Sequence, residues 1–266
     1  MPMHSAALLD DLRETALALA DAARPETLRY FRQPALAAEN KAAGGFDPVT
    51  EGDRAAERAM REVLARRRPD DGIMGEEYGN VHGRSGLTWV LDPIDGTRAY
   101  ISGTPSWGVL VAVRDDDGPI MGLVDQPYTG ERFFGGPGEA WLDSPAGRSI
   151  LATRGTETLD RAILFTTFPE IGTETERHAF EAVRDRVMLT RYGLDCYAYG
   201  LLALGQIDLV IEAGLNAYDI QGPMAVVQAA GGVVTDWHGG PAHDGGTVLA
   251  AANTAIHRAA LEVLVR

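Results

Sequence analysis

Apolar side chains at Leu8, Leu9, Leu12, Ala16, Leu19 and Ala20 recur at helical spacing, so residues 5–23 read as an amphipathic helix. Pro25 reads as the start of a new segment, with Thr27 to Ala38 continuing helically and broken near Pro34. The stripe then stops. Lys41 to Asp53 carries paired glycines and Asp47-Pro48, which mark a loop. Thr50 followed three residues later by Asp53 is a helix-start pattern, and Ala56, Met60, Val63 and Leu64 continue as the apolar face of that helix. It ends at Arg66 to Arg68 before Pro69, a basic run better read as a solvated helix end than as a phosphate binder. Ile73 to Glu77 is extended and ends in two acids; neighbouring side chains on a strand point to opposite faces, so at most one of Glu76 and Glu77 is expected in a given site.

The run Leu87 to Val90 predicts a strand that delivers Leu91-Asp-Pro-Ile-Asp-Gly-Thr97, followed by a brief helix from Arg98 to Ser102. Trp107–Arg114, Pro119–Asp125, Glu131–Gly135 and Glu139–Asp143 alternate as strands joined by Gly/Pro turns, an antiparallel meander whose core is drawn from Val109, Val111, Ile120, Leu123, Phe133 and Trp141. The aspartates of the Asp115–Gly118 turn are read as solvated. Composition loosens at Pro145-Ala-Gly147, which divides the chain into an N-terminal α+β domain, 1–147, and a C-terminal α/β domain, 148–266. The second half alternates strands at Ser149–Thr153, Ala162–Thr166, Val187–Arg191, Asp208–Glu212, Val233–Asp236 and Thr247–Ala251 with helices at Glu174–Arg186, Asp195–Leu204, Asn216–Ala230 and Ala255–Val265.

Among 266 residues, 45% are hydrophobic and 31 are glycine, which suits a well-packed protein with many tight turns. The net charge of −14 argues against a nucleic-acid backbone or an anionic membrane as partner, while a small anion can still bind where metal ions screen the field. Cys196 is the one cysteine, so no internal disulfide or thiolate metal site is available; near the start of an apolar helix it reads as a small core residue. Neither a signal peptide nor a spanning segment is expected from the pattern. The six histidines lack zinc-site spacing, and no Gly-x-Ser-x-Gly turn supports a serine hydrolase.

Candidate chemistry lies in five acids: Asp53, Glu76, Asp92, Asp95 and Asp219. Asp53 and Asp219 each fall in the first turn of a helix, where an acid also serves as a cap, so their positions are open to both readings. Carboxylates that converge inside a protein require cations to offset repulsion and desolvation. An all-oxygen set suits Mg²⁺ or Mn²⁺, and phosphate-ester hydrolysis follows most directly.

Gly75-Glu76-Glu77, Asp92-Pro-Ile94-Asp95-Gly96-Thr97 and Tyr218-Asp219 before an Ala/Gly-rich helix resemble the signatures of the inositol monophosphatase family, in matching order from Lys41 to the C-terminus. The resemblance implies alternating helix and sheet layers, an α-β-α-β-α sandwich, two or three Mg²⁺ ions with Mn²⁺ as a substitute, a small phosphorylated substrate, a homodimer and a cytoplasmic setting. It implies that Glu76, Asp92, the Ile94 carbonyl, Asp95 and Asp219 hold metal. Asp53 and Thr97, with Glu76, correspond to residues that orient the attacking water, and Gly96 and Thr97 to the phosphate seat; Lys41 and Asp47 match with a weaker claim. Arg98-Ala-Tyr100, Asp125-Gln-Pro and Gly193-Leu-Asp195-Cys-Tyr197-Ala-Tyr199 are most similar to the bacterial histidinol-phosphatase branch of that family. In that branch the substrate is L-histidinol phosphate, with Asp195 and Glu212 at positions that contact its alcohol part, as does Asp219. Two acids there suit a substrate that carries an ammonium and an imidazole. The alternatives are a phosphatase for inositol 1-phosphate or another small monoester, and a noncatalytic regulator that binds metal or phosphate.

Overall fold

A computed structural model describes residues 4–33, 39–40 and 48–265. Helix α1 (Ala6–Tyr30) is capped by Ser5, whose hydroxyl accepts from the Leu8 N–H. It runs through Pro25 instead of restarting there. A proline inside a helix costs about 3 kcal/mol. Against that cost, Leu12, Ala16, Leu19, Ala20, Ala23 and Thr27 form one buried stripe on both sides of it. The expected break near Pro34, and Lys41 and Asp47, lie outside the described residues. Helix α2 (Glu51–Arg67) starts at the Thr50–Asp53 capping box. Arg66 and Arg67 are exposed as expected, but Arg68 is drawn inward to Asp71 and Asp11, each 2.7 Å away.

The short strands β1 (Glu39–Asn40) and β2 (Pro48–Val49) pair antiparallel. The main sheet comprises β3 (Gly72–Gly75), β4 (Gly79–Val81), β5 (Thr88–Asp95), β6 (Gly108–Asp115), β7 (Gly118–Gln126), β8 (Glu131–Gly136), β9 (Glu139–Ser144) and β10 (Gly147–Ile150), with helix α3 (Thr97–Ile101) after β5. Its order is β10-β9-β8-β7-β6-β5-β3-β4, antiparallel except for the β3–β5 pair. The strand expected over Ser149–Thr153 as the first of the second half is β10, and it pairs with β9 across the Pro145–Gly147 turn. Asp115 is not simply solvated, because His4 Nε2 lies 3.0 Å from its Oδ2.

The second sheet contains β11 (Ile163–Thr166), β12 (Leu189–Tyr192), β13 (Leu209–Asn216), β14 (Val233–Thr235) and β15 (Gly245–Ala251) in the order β12-β11-β13-β15-β14. Helices α4 (Glu174–Arg184), α5 (Tyr197–Ala203), α6 (Ala217–Ala229) and α7 (Thr254–Leu264) intervene.

Pleat alternation assigns the layers. Val109, Val111, Leu123 and Phe134 join the α1/α2 core, while Leu110, Val124 and Phe133 face the opposite way into the core shared by α5, α6 and the second sheet. The layers are therefore α1/α2, main sheet, α5/α6, second sheet and α4/α7, an α-β-α-β-α sandwich. Helix α6 sits close on the main sheet at two glycines: a Cβ at Gly122 would lie 2.9 Å from Gly222 Cα. That close seat sets the depth at which the N-terminus of α6 presents Asp219.

Candidate active site

Residues three apart on a regular strand face opposite ways, so Asp92 and Asp95 should not meet. A register shift in the β5–β6 ladder between them turns Asp95 back to the side of Asp92, and Pro93, which has no N–H to give, falls inside the irregular stretch. The Ile94 N–H donates to Asp92 Oδ1 at 3.0 Å, and the Ile94 carbonyl accepts from Thr97 Oγ1 at 3.1 Å. Gly96 then adopts φ 78°, the left-handed region that favours glycine, and starts α3. A Cβ there would stand 2.8 Å from Asp195 Cγ.

Two acid clusters form: ligand oxygens of Asp92, Asp95 and Asp219 lie within 4.8 Å of one another, and so do those of Asp53, Glu76 and Glu77. Glu76 and Glu77 do not continue β3 as a strand. They occupy the turn between β3 and β4, where strand alternation no longer applies, and both face the second cluster. Glu57, fully buried on the same stripe of α2 as Asp53, holds that turn by accepting from the N–H groups of Glu77 (2.7 Å) and Tyr78 (3.2 Å), and it pairs with Arg61 Nε at 2.8 Å. Sequence reading missed Glu57 and, by presuming strand alternation, left Glu77 out of the candidate acids; an acid set within an apolar helical stripe was the available signal for Glu57.

The first-turn acids cap their helices and at the same time belong to the acid clusters. Asp53 Oδ2 accepts from the N–H and the hydroxyl of Thr50, at 2.8 and 2.6 Å, while Oδ1 lies 3.5 Å from Thr97 Oγ1. Asp219 Oδ2 accepts from the Asn216 N–H at 2.6 Å while the residue belongs to the first acid cluster.

A cleft of about 310 Å³ is lined by Glu76, Asp92, Ile94, Asp95, Gly96, Thr97, Asp195, Glu212 and Asp219, while Asp53 is fully buried and does not line it. Asp195 has φ 45°, an uncommon conformation for a residue with a side chain, and accepts from the Ser106 hydroxyl at 2.8 Å. Glu212 accepts from the Thr167 N–H (2.7 Å) and hydroxyl (2.9 Å) and from the Thr166 hydroxyl (3.3 Å). Thr167, Phe168 and Tyr199 also line the cleft, and Arg98 lies over the Phe168 ring at 4.9 Å. Cys196 is buried as expected, and its N–H donates to Asp95 Oδ2 at 2.8 Å.

Burial, with the charges of Glu76, Asp95 and Asp219, pushes Asp92 well above the usual carboxylate range. Burial and the charges of Asp219 and Asp195 do the same to Asp95, opposed by the Cys196 N–H. Burial lifts Asp53 to about 6 against the bonds from Thr50, and Glu212 to about 7 against those from Thr167. Asp195 is raised by burial, opposed by Ser106 and by the positive charge of Arg98. Hard oxygen donors gathered where their own charge is disfavoured fit divalent cations, which remove the repulsion that raises these groups.

Residues 8–266 match the inositol monophosphatase family. The bifunctional phosphatase IMPL2 of Arabidopsis thaliana is 38% identical over 96% of this chain and 75% of its own length. A histidinol-phosphatase of Mycobacterium tuberculosis is 33% identical over 97% of both chains. An inositol monophosphatase structure from Zymomonas mobilis superposes with a TM-score of 0.86 at 38% identity, covering 99% of this chain and all of that one. The bulged Asp92–Asp95 strand, the acid clusters and the match along nearly the whole length lead to one statement: the chain belongs to the inositol monophosphatase family, whose members are metal-dependent phosphatases of small phosphorylated substrates.

Proposed function

We propose that the protein hydrolyses L-histidinol phosphate to L-histidinol and phosphate, with Mg²⁺, in histidine biosynthesis. The observation that carries the substrate is the placement of Asp195 and Glu212, two buried or half-buried acids, in the wall of the same cleft that holds the metal-fitting clusters. Neutral polyol hydroxyls gain little from two carboxylates; an ammonium or imidazolium gains charge-assisted hydrogen bonds from both. The name of the Mycobacterium tuberculosis relative supports this reading.

Glu76, Asp92 with the Ile94 carbonyl, Asp95 and Asp219 would hold two or three Mg²⁺ ions, or Mn²⁺ in their place. When bound, they supply neutralisation of charge on the phosphoryl group and the leaving oxygen. The chain's own groups do the rest. The Gly96 and Thr97 backbone seats the phosphate. Thr97 Oγ1, between the Ile94 carbonyl and Asp53, orients the attacking water with Glu76, and Asp53 receives its proton through that contact. Asp195, Glu212 and Asp219 bind the alcohol half and hold the ester in line.

A phosphate-release panel at matched Mg²⁺ tests this: kcat/KM for L-histidinol phosphate should exceed that for inositol 1-phosphate, fructose 1,6-bisphosphate and adenosine 3′,5′-bisphosphate. A tenfold preference for any other substrate overturns the assignment. The second reading, inositol 1-phosphate, is favoured by the structural match to the Zymomonas mobilis inositol monophosphatase. Asp195→Asn separates the two by a larger loss on histidinol phosphate than on a neutral-alcohol ester. We also propose a cytoplasmic homodimer, and two domains, 1–147 and 148–266.

A further inference from the structure

We infer that the Tyr199 hydroxyl is a specificity contact, accepting a hydrogen bond from an N–H of the substrate's alcohol half; this rests on the histidinol phosphate reading above. Helix α5 packs the Tyr199 ring into the core between the sheets, leaving it 3% exposed, yet the residue borders the cleft beside Glu212 and Asp195. Its oxygen has no hydrogen-bond partner among the described residues. An unpartnered buried hydroxyl weakens a fold, and phenylalanine would fill the same volume without it. A buried hydroxyl kept without a partner, on a residue that borders a cleft, marks where a ligand's polar atom belongs.

The surroundings define that atom. Burial and the charges of Glu212, Asp95 and Asp219 keep the phenol protonated, so it contributes no charge of its own. Glu212 and Asp195 meet a cation's charge, while the phenol lone pair fixes the direction of one N–H. Acids alone would accept any small cation; the added directional bond selects the one whose N–H reaches Tyr199.

Tyr199→Phe keeps the ring and removes only this oxygen. Against wild type, its kcat/KM for L-histidinol phosphate should fall about tenfold further than its kcat/KM for phenyl phosphate, whose alcohol half has no donor, and the difference should lie in KM. Binding of L-histidinol alone, followed by calorimetry, should weaken about tenfold, which reads the contact without turnover. The melting temperature of the metal-free variant should equal or exceed that of wild type. Equal losses on both esters, or unchanged L-histidinol binding, overturn the inference. Its failure is distinct from failure of the substrate reading: the wild-type ranking of substrates decides the latter, while the ratio of the variant's two losses decides the former whichever substrate ranks first.

Discussion

Glu57 does not line the cleft, yet the turn that carries Glu76 and Glu77 hangs on it. Glu57→Ala removes one acceptor shared by the Glu77 N–H at 2.7 Å, the Tyr78 N–H at 3.2 Å and Arg61 Nε at 2.8 Å. Gly75 lies against the same carboxylate; a Cβ there would come 2.2 Å from Glu57 Oε1, so the turn closes directly over it. Leaving a buried donor unpaired costs ~1–3 kcal/mol, and a broken buried ion pair ~3–5 kcal/mol. Arg61 keeps some solvent and also donates to the Gly79 carbonyl, so the lower end applies and the expected loss is ~3 kcal/mol. For a chain of this length that is a fall in melting temperature of roughly 6–12 °C.

The functional consequence is separable from the loss of stability. With the turn loosened, Glu76 and Glu77 no longer stand beside Asp53, and the Mg²⁺ concentration for half-maximal activity should rise about tenfold, equivalent to ~1.4 kcal/mol. Glu57→Gln retains one acceptor oxygen but not the charge opposite Arg61, and should fall between wild type and Ala on both measures. Thermal unfolding gives the first quantity, and phosphate release against Mg²⁺ at a temperature where all three proteins are folded gives the second. An Ala variant that melts within 1 °C of wild type, or needs no more Mg²⁺, would refute the role assigned to Glu57.

The raised carboxylates set the pH dependence of the metal-free protein. Asp53 at about 6 and Glu212 at about 7 hold protons in the fold that the unfolded chain, at 3.8 and 4.5, releases, so stability is full at low pH and is lost as pH rises between about 4 and 7. At roughly 1.4 kcal/mol per unit, each contributes on the order of 3 kcal/mol. Melting in EDTA should drop from pH 5 to pH 8, and Mg²⁺ should restore it most at pH 8; a rise with pH would contradict the sign. Asp92→Asn should raise the metal-free melting temperature, because it removes a buried carboxyl whose ionisation is disfavoured by burial and by Glu76, Asp95 and Asp219, while cutting kcat by about 10²–10³. A gain in neither stability nor Mg²⁺ requirement would count against metal binding by Asp92. Gly96→Ala must place a side chain at φ 78° and 2.8 Å from Asp195 Cγ, so it should lose ~1–3 kcal/mol of stability and reduce turnover of histidinol phosphate. Wild-type melting and kinetics in that variant would show that the turn has room.

What could be read from the chain divides along the range of the interactions involved. The apolar stripe of α2 and the short apolar runs of β6 to β9 between their Gly/Pro turns are local signals, and each stands where the pattern placed it, because burial of the apolar positions overrides most competing preferences. Pro25 misled because its local cost is visible in sequence, whereas the packing of Ala23 and Thr27 that offsets it is not. Glu76 and Glu77 misled for the converse reason: alternation presumes a strand, and the turn that ends β3 depends on Glu57, 20 and 21 residues before the N–H groups it accepts from. The convergence of Asp92 with Asp95 needed the β5–β6 register shift, a property of two strands together that neither strand's sequence states. Asp53 and Asp219 posed a choice between cap and site that the fold does not make, since a carboxylate has two oxygens and the helix start occupies one of them. A helix N-terminus is thus a precise place to mount a site acid, because the cap bond fixes the side chain before any cation arrives.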